Sequence, residues 1–346
     1  MSFRDDVVYG YPNARIKSMK SRLMGAEETM KLLSAGSFTD LVSMLERTDL
    51  AGELTGLSIV HSGPDLVDRA IGMNLARVYS KVIRVAPAET LPVVNAFTGR
   101  WDVYNIKTIL LGKHLGYGQK AIEARLVPAG RLDARVLLVV NAQESVDEAV
   151  FHLGGTEYGE ALIKVYKAYK KSGDISVLTS ELERHHYRML GNSARGGGDW
   201  ARIRSLIEFE IDAKNIITLM RHVYAGKEAF SLEESLIDGG RLGVQRLMKM
   251  REYDISRIVS AVKSRVDLTE PFKEYEKDTF IVHFETALER MLYVKGMRAF
   301  TLSTLSVGSI VGFLYLKEAE AGNVRKIVRG MEFGVPRDRV AETLVV

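Results

Sequence analysis

The sequence predicts an all-α protein made of three homologous helical domains. Three observations predict it. Helix-start signals recur while alternating strand patterns are scarce, only seven prolines interrupt 346 residues, and one set of signals returns three times in the same order. The prolines are Pro12, Pro64, Pro87, Pro92, Pro128, Pro271 and Pro336. Proline breaks a helix interior, so the long interval between Pro128 and Pro271 is open to helix.

Along the chain, Ser37-Phe-Thr-Asp40 reads as an acidic capping box that starts a helix. Arg135-Val-Leu-Leu-Val-Val140 is short for a strand and reads as a buried helix. Ser180-Glu-Leu-Glu183 and Ser231-Leu-Glu-Glu234 are two further capping boxes. Between them, Gly196-Gly-Gly198 reads as a loop. Leu206, Phe209, Ala213, Ile216, Met220 and Val223 then form one apolar helical stripe. From Ala299 to Leu316 the chain carries no charge. Its length barely suffices to cross a bilayer, and Ser, Thr and Gly dilute it, so it reads as a buried helix. Gly308 and Gly312 within it form a GxxxG, which lets helices approach closely.

The repeat is the most informative feature. It begins with a hydrophobic-acid-arginine triplet: Val67-Asp-Arg69, Leu182-Glu-Arg184 and Leu288-Glu-Arg290. An asparagine follows 32 to 37 residues after the acid: Asn105, Asn215 and Asn323. A leucine stands 21 residues beyond each: Leu126, Leu236 and Leu344. In the first two copies it opens a matched turn, Leu126-Val-Pro-Ala-Gly130-Arg-Leu132 and Leu236-Ile-Asp-Gly-Gly240-Arg-Leu242. The third copy ends before its turn. Leu32-Leu-Ser-Ala-Gly36-Ser-Phe38 has the same spacing, and Asn13-Ala-Arg15 is a looser match to the asparagine signal. The expected domains are therefore 1–62 joined with 285–346, 63–175, and 176–284, with the termini close together.

Four-residue spacing puts each asparagine in an apolar helical row: Trp101, Asn105, Ile109; Ile211, Asn215, Leu219; Ala319, Asn323, Ile327. A buried amide needs partners, so these three are expected to be structural, each bonded to neighbouring backbone. Asn13 departs, because Lys17 stands four residues after it.

Composition narrows the chemistry. There is no cysteine, which excludes disulfides, thiolate metal sites and cysteine nucleophiles and fits a reducing cytoplasm. A net charge of +4 is mild for this length. No P-loop, GxGxxG, HExxH or GxSxG occurs. No catalytic residue, cofactor or metal site is expected. His185-His186 is the only histidine cluster, and adjacent helical positions point about 100° apart, so a solvated helix face is the expected reading. The basic residues Arg15, Lys17, Lys20 and Arg22 lie in a stretch without an acid, from Asp6 to Glu27. They read as a solvated face or as a contact with an acidic protein or lipid headgroups.

These residues bring a family into view. Gly10-Tyr-Pro-Asn-Ala-Arg-Ile-Lys-Ser-Met-Lys-Ser-Arg-Leu23 resembles the start of the C subunit of archaeal and bacterial A/V-type ATP synthases, the counterpart of the vacuolar ATPase d subunit. Leu45-Glu-Arg-Thr-Asp49, Trp101-Asp-Val-Tyr-Asn-Ile-Lys-Thr108 and Glu208-Phe-Glu-Ile-Asp-Ala-Lys-Asn-Ile-Ile-Thr-Leu219 extend the likeness. Tyr315-Leu-Lys-Glu-Ala-Glu-Ala-Gly-Asn-Val-Arg-Lys-Ile327 is similar to its C-terminal signature. Two positions differ from the pattern: Pro12, and Ile217 where the other copies have Lys107 and Arg325.

The resemblance implies a funnel of the three domains about a pseudo-three-fold axis, with no active site. It implies a non-catalytic rotor adapter between central-stalk subunits and the membrane ring of proteolipid subunits, passing torque between ion flow and ATP synthesis or hydrolysis. It also implies a peripheral place on the cytoplasmic face of the membrane, one copy per complex, and a monomer in isolation. Arg15, Lys17, Lys20, Arg22, Lys107 and Arg325 are the expected interface residues, and no nucleic acid is expected as partner. The alternatives are a basic helical repeat protein that binds nucleic acid, and a metalloenzyme built on His185, His186 and nearby glutamates.

Overall fold

The computed structural model describes residues 3–226 and 231–346. Residues 1–2 and 227–230, which belong to the first and third expected domains, lie outside them. The described residues contain helices and no strand. The helix α1 (Phe3–Lys20) leads into three short ones, α2 (Ala26–Leu32), α3 (Phe38–Leu45) and α4 (Ala51–Leu57). Two long helices follow, α5 (Gly63–Val85) and α6 (Leu91–His114), then four shorter ones, α7 (Gln119–Glu123), α8 (Ala134–Ala142), α9 (Val146–His152) and α10 (Glu157–Ser172). The order then repeats. Long helices α11 (Ser176–Ser193) and α12 (Asp199–Ala225) precede short α13 (Leu232–Ser235), α14 (Val244–Lys249), α15 (Ile255–Val262) and α16 (Thr269–Asp278). The last long pair is α17 (Val282–Leu302) and α18 (Val307–Glu332), followed by α19 (Arg337–Thr343).

Local signals explain many of these boundaries. The Ser37 hydroxyl accepts the Asp40 N–H at 3.1 Å and caps α3, and Ser231 accepts the Glu234 N–H to cap α13. Arg135–Val140 is helical, within α8. Ser180 is not a start, because it lies inside α11. That helix begins four residues earlier, where the Asp174 carboxylate accepts both the N–H and the hydroxyl of Ser176, at 2.8 and 2.7 Å. The capping-box pattern constrains residue types only, and here those types lie inside the helix, with Glu181 and Leu182 buried.

The chain falls into two compact units. The first comprises residues 1–94, 195–206 and 255–346. Its centre is the hairpin of α17 and α18, against which α1, α5 and α19 also pack. Every residue from Val307 to Lys317 on α18 is buried. The second unit comprises residues 95–194 and 207–254. Its core includes Ile106, Ile109, Leu110, Leu178 and Leu182, all within 1% of complete burial, with α7 to α10 packed around them.

The uncharged stretch is a helix-turn-helix and not the single buried helix expected. It holds the end of α17, the turn 303–306 and the start of α18. The turn is held from several sides. Asn13 donates to the carbonyls of Thr304 and Ser306 at 3.2 and 3.3 Å. The Ser306 hydroxyl accepts the Gly308 N–H and donates to Asp199, and Ser309 donates to the Ser303 carbonyl. Glycines bring the two helices together: a Cβ on Gly312 would stand 2.6 Å from Phe300 N and 2.7 Å from Gly296 O. No helix among the described residues is long and apolar enough to cross a membrane.

Candidate functional site

Three copies of one hydrogen-bonded clasp organise the long helices. Asn105 on α6 donates its amide to Val127 O at 2.7 Å and accepts the Val127 N–H at 2.8 Å. Asn215 on α12 does the same with Ile237, at 2.7 and 2.9 Å. Asn323 on α18 does it with Val345, at 2.7 and 2.8 Å. Each asparagine is at most 4% exposed. Each satisfies both groups of the residue 22 positions on, one step past the repeated leucine. A side-chain amide matches a peptide group donor for acceptor, so each clasp closes the chain after a long helix back onto that helix.

Three residues before each asparagine stands an acid that the repeat signals did not include. Asp102 accepts the N–H groups of Arg131 and Leu132, both at 2.9 Å, and the Tyr158 hydroxyl at 2.9 Å. Asp212 accepts those of Arg241 and Leu242 at 3.1 and 3.0 Å. Burial raises the Asp102 carboxyl above its ordinary range, opposed by these backbone donors and by Tyr158. In the third copy the acid is Glu320, which accepts the Met24 N–H at 2.8 Å. The segment after α1 thus supplies the donor that the other copies take from their own turn. The spacing D/E-x-x-N, present in all three copies, is the signal that finds these acids.

The glycines divide into two kinds. A Cβ on Gly130 would overlap the Asp102 carboxylate, and one on Gly240 the Asp212 carboxylate. Gly36 faces only the Asp40 side chain, 3.2 Å from an ideal Cβ. Asn13 has its own partners in the turn 303–306 and makes no clasp of the repeated kind. Near the C-terminal clasp, Lys20, Met24, Asn323, Val345 and Val346 line one cavity of about 70 Å³, so the segment after α1 and the C-terminal residues meet.

The triplets contribute at two levels. Arg184 and Arg290 donate to the Glu234 and Glu342 carbonyls, at 2.9 and 2.8 Å, each three residues before a clasped residue. Arg69 instead pairs with Asp65 on its own helix. The acids beside them join one copy of the repeat to another. Glu183 bridges Lys107 at 2.7 Å and Lys214 at 3.4 Å. Burial would raise Glu183, but the two lysines overcome it and hold it at about 2. Asp68 pairs with Arg329 and lies in the field of Arg325.

Of the six basic interface candidates, Arg15, Lys17 and Arg22 are exposed, with Arg22 3.8 Å from Asp49. Lys20, Lys107 and Arg325 are half-buried. The histidine pair does not lie on a solvated face. His185 is 9% exposed against the Tyr158 ring, and His186 is 4% exposed against the Tyr187 ring. Burial, together with Arg100, pushes His186 down to about 3. No cluster of three or more metal-binding side chains occurs among the described residues.

A profile of the family described as "ATP synthase (C/AC39) subunit" matches residues 12–343. The chain belongs to that family. It is a structural, non-catalytic part of a rotary complex. Relatives agree along the whole length. The C subunit of the A-type ATP synthase from Haloferax volcanii is 27% identical over 339 residues, covering 97% of each chain. Its counterpart from Haloquadratum walsbyi is 28% identical over 337 residues, covering 96% of each. The one from Methanocaldococcus jannaschii is 27% identical over 343 residues, covering 97% of this chain and 86% of that one. The family match spans all three clasped asparagines and ends two residues before Val345, which Asn323 holds. Neither the nucleic-acid reading nor the metalloenzyme reading finds support in these matches.

Proposed function

We propose that the chain is the rotor adapter of an A-type ATP synthase, seated between the central stalk and the membrane ring and carrying torque between them. In this reading the domains 1–62 with 285–346, 63–175 and 176–284 form a funnel about a pseudo-three-fold axis, at the cytoplasmic face of the membrane. The observation that carries it is the threefold clasp in a chain of this family. Three equivalent anchor points suit a part that meets a rotating ring on one side and a shaft on the other. Torque transfer needs parts that do not yield, and each clasp ties a long helix to the chain after it with two buried hydrogen bonds in a close-packed interior. Arg15, Lys17, Lys20 and Arg22, with Lys107 and Arg325, are the proposed basic contacts.

The test is co-purification from membranes of the source cell. A tagged chain recovers ring and stalk subunits together, and the purified chain alone hydrolyses no ATP. Recovery without ring or stalk subunits would overturn the proposal, as would ATPase activity intrinsic to the chain.

A further inference from the structure

A cleft of about 430 Å³ opens in the second unit, walled by α6, α11 and α12. That volume is typical of small-molecule sites. One wall is aromatic: Trp101 and Tyr104 meet edge to face at 5.3 Å, and Tyr104 is 44% exposed. Another carries Lys107 and Lys214, which share the single carboxylate of Glu183. Deeper in, Arg100 and Glu210 offset each other at 3.4 Å, and the Tyr187 hydroxyl donates to Glu210 at 2.9 Å. With His186 neutral, the charged groups leave one positive charge in excess.

Among these groups lies an orphan. His186 lines the cleft and is 4% exposed, and its Nε2 has no hydrogen-bond partner. A buried polar nitrogen left unsatisfied costs free energy, and native proteins keep few of them.

We propose that this cleft binds a small organic anion with a planar aromatic body. The ring lies against Trp101 and Tyr104, and the anionic group sits by Lys107 and Lys214. The excess positive charge disfavours a cation, and a purely apolar molecule leaves the two lysines without a further anionic partner. The anionic group is a sulfonate or phosphate, either of which presents oxygens to the lysines. The site shares Lys107 with the proposed basic contacts but needs no partner subunit.

The chain has two tryptophans, Trp101 and Trp200. Trp200→Phe therefore leaves Trp101 as the sole reporter in the full-length protein. The variant is titrated with 8-anilinonaphthalene-1-sulfonate, with adenosine monophosphate, and with uncharged N-phenyl-1-naphthylamine. Saturable quenching of Trp101 by at least one of these two aromatic anions is expected. Lys214→Gln should weaken that binding about tenfold. Glu183→Gln, which releases both lysines, should tighten it by a similar factor, a change of about 1.4 kcal/mol either way. Quenching by neither anion would overturn the proposal. So would equal binding of the uncharged probe, or binding indifferent to both substitutions. Saturation-transfer NMR on the unsubstituted chain, reading the ligand signals, applies the same criteria if Trp200→Phe folds poorly.

Discussion

At the residue scale, the clasps are all-or-none features. Replacing Asn105, Asn215 or Asn323 by Ala strands a buried N–H and a buried carbonyl at once, which costs about 2–4 kcal/mol. Urea unfolding of the three single variants should show a loss of that size in each. The glycines separate in the same assay. Gly130→Ala and Gly240→Ala push on carboxylates already held by backbone N–H groups and lose about 1–3 kcal/mol. Gly36→Ala meets only a movable side chain and costs under about 1 kcal/mol. His186 predicts a pH dependence. Its folded value is about 3 against an ordinary 6.5, so below pH 6.5 the unfolded chain takes up a proton that the folded chain refuses. This contribution to stability is whole above pH 6.5 and falls as the solution is acidified. By about pH 4.5 it has cost roughly 2–3 kcal/mol. In His186→Gln the slope of melting temperature against pH over this range should flatten. The asparagines were legible in the sequence because their spacing to a leucine is fixed. Their partner was not, because a backbone group has no letter of its own. The acids three residues earlier vary between Asp and Glu, which hid them. The burial of His186 comes from neighbours on other helices, which no local pattern records.

At the element scale, the approach of α17 to α18 depends on residues without a Cβ. Gly312→Ala places a methyl against the backbone of Phe300 and Gly296 and should cost about 1–3 kcal/mol. Gly322→Ala on the same helix meets nothing within 4 Å, so helix propensity alone acts and stability rises by up to about 1 kcal/mol. Opposite shifts in melting temperature for two identical substitutions on one helix are the expected result. The helical class was legible throughout, from proline scarcity and the apolar stripe on α12. The break at 303–306 was not, because serine, threonine and leucine carry no strong stop signal. It is held by Asn13 and Asp199, roughly 290 and 110 residues away in sequence.

At the scale of the whole molecule, the proposed adapter role makes the exposed basic residues of α1 a handle on assembly. Arg15→Glu with Lys17→Glu should leave stability within about 0.5 kcal/mol of the parent, because both side chains are exposed. Recovery of partner subunits from membranes should fall, most clearly as ionic strength rises. The Asn323 clasp also fixes where a probe can be attached. Val345 is tied down while Val346 stays 47% exposed. A dye or bead tether attached at Val346 would therefore sit one residue from the clasp on α18, with no native thiol to compete for labelling. Single-particle spectroscopy on such a fusion would track α18 itself and not the wobble of a linker.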